Sequence, residues 1–511
     1  MAIAGITVTR HAKPLGTDLI GSMLSALAPG ESSCSELSRQ PLAQLGAISN
    51  TGTASVWSNF DVAVACDAEL VTGENGGAQP KPAAEVIGTL YLRYGLEFFS
   101  RLRGSFALAI WDSRSEEMLI AVDRFAALPL SYYASDSELI FASQPRGIFA
   151  SGRVQKEIDP DAVIAFLNYS VVPAPQSAFQ SLAKIPGGCY LVWKRGKFAL
   201  RRYWDLLYSE IEDRPVKQLA DALLTSMSEA VKSYAADVEN QELGCFLSGG
   251  TDSSSILGLL TRHRGKTVNA FSIGFSEERF NELEYAFIAA KTFDANHSIC
   301  LLSPEQTFPD VTAIAAAYDE PFGNSSVLPT FACLKLAREH GIKVMLAGDG
   351  GDELFGGNER YRTEQIYGLY NRVPSSLRRY LIEPLAYGLP ALGPVGKARR
   401  YIERVRTGNP ERYFQWLLLQ TFPAEKVLSP EIQPTNGHSD LLRIARRHYE
   451  MAPASSELNR LLYIDIKMTL GDNDLPKVVR AAELAGVSVR FPYLDHPLAD
   501  FSGRLPANLK V

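Results

Sequence analysis

The chain has 511 residues, 46% of them hydrophobic and 21% charged, with a formal net charge of -6. That length gives two or three domains with ample cores, and the acidic balance excludes nonspecific nucleic-acid binding as the main role. No 18-residue apolar run marks a membrane span, the first residues carry no basic-then-apolar pattern, and the six cysteines (34, 66, 189, 245, 300 and 333) and seven histidines show neither C-x-x-C spacing nor i, i+4 pairing. Disulfides, zinc and membrane insertion are therefore not expected, and the composition fits a cytoplasmic enzyme with reduced thiols.

Residues 1–205 read as β-rich. Short apolar or alternating runs recur at Ile3–Val8, Val62–Cys66, Phe106–Trp111, Met118–Val122, Leu139–Ala142 and Tyr190–Trp193, with turns such as Pro186-Gly187-Gly188 between them. This spacing predicts stacked antiparallel sheets. The stretches Ser32–Gln44 and Gly73–Pro82 are polar or carry Gly and Pro, and read as loops. From Val216 on, amphipathic helical patterns alternate with short apolar strands, which predicts a parallel sheet around 243–347. Residues 360–470 are rich in Arg, Leu and Tyr at helical spacing and read as a helical subdomain, with basic runs such as Lys397-Ala398-Arg399-Arg400 as solvated faces. The expected fold class is α/β together with α+β: stacked antiparallel sheets over 1–205, then a parallel-sheet domain with added helices over 206–511.

Chemistry concentrates in two loops. Leu247-Ser248-Gly249-Gly250-Thr251-Asp252-Ser253-Ser254 follows the apolar run Leu243–Phe246 and opens a helix. Such a turn offers backbone N–H groups and a helix N-terminus to an anion, and its glycines let a ligand approach the backbone. An aspartate in such a cradle calls for a divalent cation between it and the phosphate. There is no Lys after the last Gly, as a P-loop needs, and no third Gly for a dinucleotide fingerprint. The second loop, Ala347-Gly348-Asp349-Gly350-Gly351-Asp352-Glu353-Leu354-Phe355-Gly356-Gly357, follows the strand-like Lys343–Leu346. Its glycines suggest close approach to a ligand, and its acids suggest a metal or proton transfer. A calcium loop is the rival reading, but the EF-hand spacing of acids is absent.

Ser-Gly-Gly-x-Asp-Ser-Ser resembles the pyrophosphate loop of ATP pyrophosphatases, and the two loops together resemble the synthetase domain of the asparagine synthetase family. The resemblance continues through Ala270–Phe275, Phe280-Asn281-Glu282 (the family usually has an acid in place of the Asn), Asp319-Glu320-Pro321-Phe322, Lys477, Arg480 and Arg490-Phe491-Pro492-Tyr493-Leu494-Asp495. Two departures stand out: Val479 replaces the acid that usually precedes Arg480, and Ser488 replaces a Glu two residues before Arg490. The resemblance implies ATP bound by Phe246, Leu247, Ser248, Gly249, Gly250, Asp252, Ser253, Ser254, Ile273, Ala347 and Gly348. Asp252 and Asp352 would share Mg2+, and Asp349 would lie near the reacting acyl carbon. Asp472 falls where the family usually carries an acid. Asp349 and Asp472 are expected to approach each other across the site, the alternative for Asp472 being a solvated loop acid. The family's catalytic lysine lies beyond the Leu-Pro-x-x-Leu-Lys stretch, where this sequence ends. It is supplied from elsewhere, lies outside this sequence or is absent, with Lys477 and Lys510 the nearest substitutes.

The first half resembles the glutamine-hydrolysing, Ntn-hydrolase-like domain of the same synthetases, through Arg101–Asp112, Asp123-Arg124-Phe125 and Pro129–Tyr133. Its chemistry departs from that pattern in four places. The sequence begins Met1-Ala2-Ile3 rather than with a cysteine whose α-amine serves as base. Asp67-Ala68-Glu69 stands for the glutamine-binding Asn-Gly-Glu, Ala83 stands for the acid that grips the substrate amine, and the arginine for its carboxylate has no counterpart. Cys34 and Cys66 are poor replacement nucleophiles, since neither has an N-terminal amine. The expectation is a retained fold without glutamine hydrolysis.

The amine must then come from elsewhere, as in two relatives of this build, β-lactam synthetases and lasso-peptide cyclases. The former carry a tyrosine at the position of Asp349, so a lasso-type macrolactam cyclase or an ammonia- or amine-using synthetase is the closer expectation. In either, an ATP-dependent, AMP-forming ligase joins a carboxylate to an amine, of a small molecule or a peptide. A precursor peptide or a protease would be further partners, and neither nucleic acid nor membrane is expected. A non-catalytic nucleotide- or peptide-binding homologue is the rival from another class, and the intact loops speak against it.

Overall fold

The computed structural model describes residues 1–16, 18–28, 34–49, 51–71, 81–275, 283–371, 373–388, 393–422, 424–430 and 441–511. Phe280-Asn281-Glu282, and most of the loop expected over 73–82, lie outside them. Two six-stranded antiparallel sheets come first. One runs, in spatial order, Ala183–Lys184, Ser131–Ala134, Glu138–Ala142, Ala2–Val8, Ala43–Ser49 and Cys34–Gln40. The other runs Lys197–Arg202, Cys189–Lys194, Glu117–Val122, Gly104–Asp112, Val62–Leu70 and Ala54–Ser58.

Period-2 alternation decides which face each residue takes. In Val62-Ala63-Val64-Ala65-Cys66, the alanines join Ile3, Leu45, Trp111, Phe141 and Trp193 in the core between the sheets. Val62, Val64 and Cys66 turn outward, beneath Ile87 of the helix Ala83–Tyr94. The helix Leu19–Leu27 covers the outer face of the other sheet through Ile20, Met23 and Leu24. The result is four layers, helix, sheet, sheet, helix. The six strand-like runs of the sequence all lie within strands. The loop expected over Ser32–Gln44 is instead a hairpin, Cys34–Gln40 paired with Ala43–Ser49. Its first strand is the sheet edge, so Ser35-Glu36-Leu37-Ser38-Arg39-Gln40 stays polar and carries no apolar alternation for a sequence reading to find.

The third sheet is parallel throughout, in the order Asn296–Leu302, Asn269–Phe275, Leu243–Phe246, Val344–Leu346 and Ser488–Arg490. The fold is thus the mixture of α/β and α+β architecture expected, with one strand, Ser488–Arg490, beyond the expected span. The described residues between 359 and 465 are predominantly helical. Among the described residues no helix is long and apolar enough to cross a membrane.

The antiparallel half meets the parallel half through paired charges. Arg146 pairs with Asp319, and Lys184 with Glu320 at 2.9 Å. Glu320 also accepts from the Ser177 hydroxyl at 2.6 Å and the Ala178 N–H at 2.8 Å. Burial pushes the Glu320 carboxyl up, but Lys184 and these donors outweigh it and the pKa falls below the ordinary value. A depressed carboxylate pKa stabilises the fold above the unfolded-state value of about 4.3, and that contribution is lost as pH falls through the lower folded value. We expect Glu320→Gln to cost roughly 2 kcal/mol at neutral pH. The difference from the parent chain should shrink as pH drops below that of an ordinary glutamate, measured by urea unfolding across a pH series.

Candidate active site

The strand Leu243–Phe246 has Asn269–Phe275 on one side and Val344–Leu346 on the other, so the sheet's order reverses at this strand. Open parallel sheets bind ligands beyond the carboxyl ends of their strands at such a switch point, and both acidic loops leave the sheet there. Leu247 donates its N–H to Phe271 O at 2.9 Å, which continues the strand one step. The chain then turns at Gly249, whose φ is 85° and whose Cβ, were it present, would strike the backbone of Tyr285 and Ala286. Ser248 and Ser253 tie the turn together, Oγ to Oγ at 3.0 Å, and Gly250 donates to Ser248 Oγ at 3.3 Å. The helix Thr251–Arg264 follows with no side chain capping its N-terminus. Its first N–H groups, with the positive end of the helix dipole, are therefore available to an anion. Ser254 stands in that first turn, with Phe246 and Ile273 at neighbouring strand ends.

The second loop closes onto the first. Ala347 donates to Arg490 O at 2.9 Å. A Cβ on Gly348 would lie 3.1 Å from Ser253 N and 3.3 Å from Asp252 Cβ, and one on Gly351 would overlap the Asp252 carboxylate itself. The glycines are what let the two backbones come this close. Burial, then the like charges of Asp352 and Asp349, push the Asp252 carboxyl up to about 6, against a hydrogen bond from Tyr493. Burial also raises Asp352, against the pull of Arg360. Among the described residues no three His, Cys, Asp or Glu side chains form a complete metal cage. Two carboxylates fit magnesium all the same, since that ion usually takes one or two of them and completes its octahedron with phosphate oxygens and water.

Asp349 is half-buried, and desolvation raises its pKa against the attraction of Lys477 and together with the repulsion of Asp474. Lys477 Nζ donates to Asp474 Oδ1 at 3.0 Å, and Asn324 donates to the same oxygen at 3.1 Å. Glu353 stands close by, pushed up to about 8 by burial and then by Asp465. The expected approach of Asp349 and Asp472 is corrected here: the acid facing Asp349 is Asp474. Asp472 accepts from the Ala174 N–H at 3.1 Å and lines a cavity of about 100 Å³ between the two halves, with Lys184 and Glu320 on its walls. It is half-buried against the antiparallel half rather than a solvated loop acid, and desolvation pushes its carboxyl up to about 6. Counting back along the chain from Lys477 places an acid in this segment, but spacing alone does not tell which of Asp472 and Asp474 meets Asp349 once 466–474 winds into π-helical turns. Lys510 contacts other groups, Asn459 Oδ1 at 3.0 Å and the face of Tyr208 at 4.7 Å. Tyr493, Glu353 and Asp474 are site residues that sequence reasoning passed over. Tyr493 stood inside a quoted signature, its hydroxyl the one available clue.

In the antiparallel half, Asp67 is buried and accepts from the Thr53 hydroxyl at 2.9 Å. Glu69 accepts from Arg490 across the interface at 3.0 Å, and Ala83 opens a helix. Burial pushes the Cys66 thiol up to about 12, which leaves it no thiolate for nucleophilic attack.

An asparagine synthase family profile matches residues 222–511, more than half of the chain, and a glutamine amidotransferase domain profile matches residues 70–204. The chain is 27% identical over 432 residues to asparagine synthetase [glutamine-hydrolyzing] 1 of Bacillus subtilis, covering 84% of this chain and 66% of that protein. It is 30% identical over 414 residues to putative asparagine synthetase [glutamine-hydrolyzing] 2 of Methanocaldococcus jannaschii, covering 78% and 76%. Amidase chry2 of Gibberella zeae is 26% identical over 305 residues, 55% of this chain and 44% of that one. The chain spans just under two thirds of the length of the first of these relatives.

The close approach at Gly351 gives a direct test. Gly351→Ala should unfold with a midpoint near that of the parent chain, because the added methyl meets only a side chain. It should lose magnesium-dependent nucleotide binding by at least about tenfold, since displaced metal ligands cost that much. Titration calorimetry with ATP, with and without magnesium, reads the outcome.

Proposed function

Because the chain belongs to the asparagine synthase family, we propose that it is an ATP-dependent amide-forming synthetase that activates a carboxylate as its acyl-adenylate and takes its amine without hydrolysing glutamine. The observation that carries this reading is the convergence of Asp252 and Asp352 beside an uncapped helix N-terminus at the switch point of the parallel sheet. Asp252 and Asp352 would hold magnesium, which when bound neutralises charge on the leaving pyrophosphate. N–H groups of the turn and of the first helical residues donate to the phosphate oxygens, and Phe246, Ile273, Ala347 and Gly348 flank the nucleoside. A substrate carboxylate oxygen attacks the α-phosphorus and pyrophosphate departs. The amine nitrogen then attacks the acyl carbon, and AMP leaves with the bonding electrons.

Asp349, its carboxyl raised by desolvation against the pull of Lys477, takes the proton shed by the amine. Lys477, anchored on Asp474, supplies positive charge to the oxygen that becomes negative as the acyl carbon turns tetrahedral. Holding amine and acyl group together supplies much of the acceleration. The commitment of Glu69 to Arg490, the alanine at position 83 and the protonated Cys66 all favour an amine source other than glutamine. Retention of Asp349 favours a lasso-type macrolactam cyclase or an ammonia- or amine-using amide synthetase over β-lactam closure.

A pyrophosphate-release assay with ATP, magnesium and a panel of carboxylates and amines tests the reading. Turnover should appear with at least one pair and fall at least about a hundredfold in Asp352→Ala, because even outer-shell partners of metal ligands are worth up to that much. Undiminished turnover in that variant would remove the metal assignment. Glutamine supplied as sole amine source should release no glutamate.

A further inference from the structure

The segment Arg490–Asp495 is gripped at both ends by other parts of the chain. Arg490 donates through Nε to Glu69 at 3.0 Å, and through its Nη atoms to Tyr234 O at 2.8 Å and Asp237 at 3.0 Å. At the other end Asp495, 3% exposed, accepts from Arg103 Nε at 3.0 Å and Nη2 at 2.6 Å. Glu69 and Arg103 come from one place in the antiparallel half. Glu69 faces Ser105, and Leu70 faces Gly104, in adjacent strands. A single sheet corner therefore holds both ends of a six-residue segment with paired charges, Glu69 through one bond from Arg490 Nε and Arg103 through a forked pair that fixes the orientation of Asp495 as well as its distance.

Between those ends lies the floor of both acidic loops. The Tyr493 hydroxyl lies beside the Asp252 carboxylate and Ser255. Its ring meets Phe355 edge to face at 6.4 Å. Leu494 fills the space into which a Cβ on Gly350 would project. One short segment thus touches the carboxylate of the first loop and the backbone of the second.

We propose that Tyr493 is a positioning residue for Asp252, and that the antiparallel half serves as a brace which sets Tyr493 through the Glu69–Arg490 and Arg103–Asp495 pairs. The inference rests on the proposed magnesium–nucleotide site and adds to it a task for a half that no longer hydrolyses glutamine. Glu69 is the last residue of the triplet standing where the family binds glutamine, and here it is spent on the synthetase half.

Calorimetric binding of α,β-methylene-ATP in the presence of magnesium tests this without turnover. Tyr493→Phe should weaken binding about tenfold, the usual worth of a group that orients a metal ligand. Glu69→Gln should weaken it at least about threefold, and Glu69→Gln with Tyr493→Phe should bind no more weakly than Tyr493→Phe alone, because both act through one hydroxyl. Losses that add in the double variant, or unchanged binding in Tyr493→Phe, overturn the brace. If Glu69→Gln lowers the unfolding midpoint, Arg103→Lys, which keeps the charge but loses the fork, enters the same cycle with the same expected outcome. A parent chain that binds no magnesium–nucleotide overturns the proposed function itself, and is told apart by its silence before any substitution is made.

Discussion

Asp252 and Asp352 are carried to one spot by different strands of a parallel sheet, and the like charge of Asp352 makes Asp252 harder to ionise. Proteins seldom leave buried carboxylates uncompensated. Raising Asp252 from an ordinary value to about 6 stores on the order of 2–3 kcal/mol against the folded state at neutral pH. Burial supplies the larger part of that cost, and the share owed to the like charges of Asp352 and Asp349 is what a divalent ion between the carboxylates would relieve. The flanking glycines, the bare helix end and the strand order all serve to let two backbones approach closely enough for this repulsion to arise.

The interface between the halves shows how lost family residues are replaced by others at different sequence positions. Val479 occupies the place of an acid, yet Arg480 still finds one, pairing with Glu483 one turn later and donating to Ser143 O at 3.2 Å. Ser488 occupies the place of a second acid, and Arg490 draws instead on Glu69 and Asp237. Each arginine remains buried and paired, as the dehydration cost of its charge requires. What differs is which element supplies the partner, and for Arg490 part of the supply has moved into the antiparallel half.

Much of this was legible in the residues themselves. The octet at 247–254 and the loop at 347–357 announced their chemistry because Gly, Ser and Asp in such density have no use in a core, and their convergence follows from two adjacent strands. Alternation in Val62–Cys66 and Phe106–Trp111 likewise disclosed two-faced strands. The edge strand Cys34–Gln40 escaped because it lies at a sheet margin and its residues are mostly polar, with Glu36 and Arg39 exposed, so no apolar periodicity marks it. Asp472 was misplaced because its position rested on spacing from Lys477, and that segment holds two acids, Asp472 and Asp474, which a count along the chain cannot tell apart. Tyr493 was overlooked for a different reason: its role depends on contacts between segments far apart in sequence, which no local pattern encodes.

The strand Ser488–Arg490 sits beside Val344–Leu346, although the chain makes its whole helical excursion between them. During synthesis Val344–Leu346 therefore waits as an open margin, with backbone donors and acceptors unsatisfied, long after its other neighbours are in place. Both acidic loops exist by then, but their floor does not. A partly made chain has every residue of the phosphate cradle and still cannot shape it, so nucleotide cannot rescue a stalled or truncated product. The chain's capacity to hold its ligand arrives late and all at once.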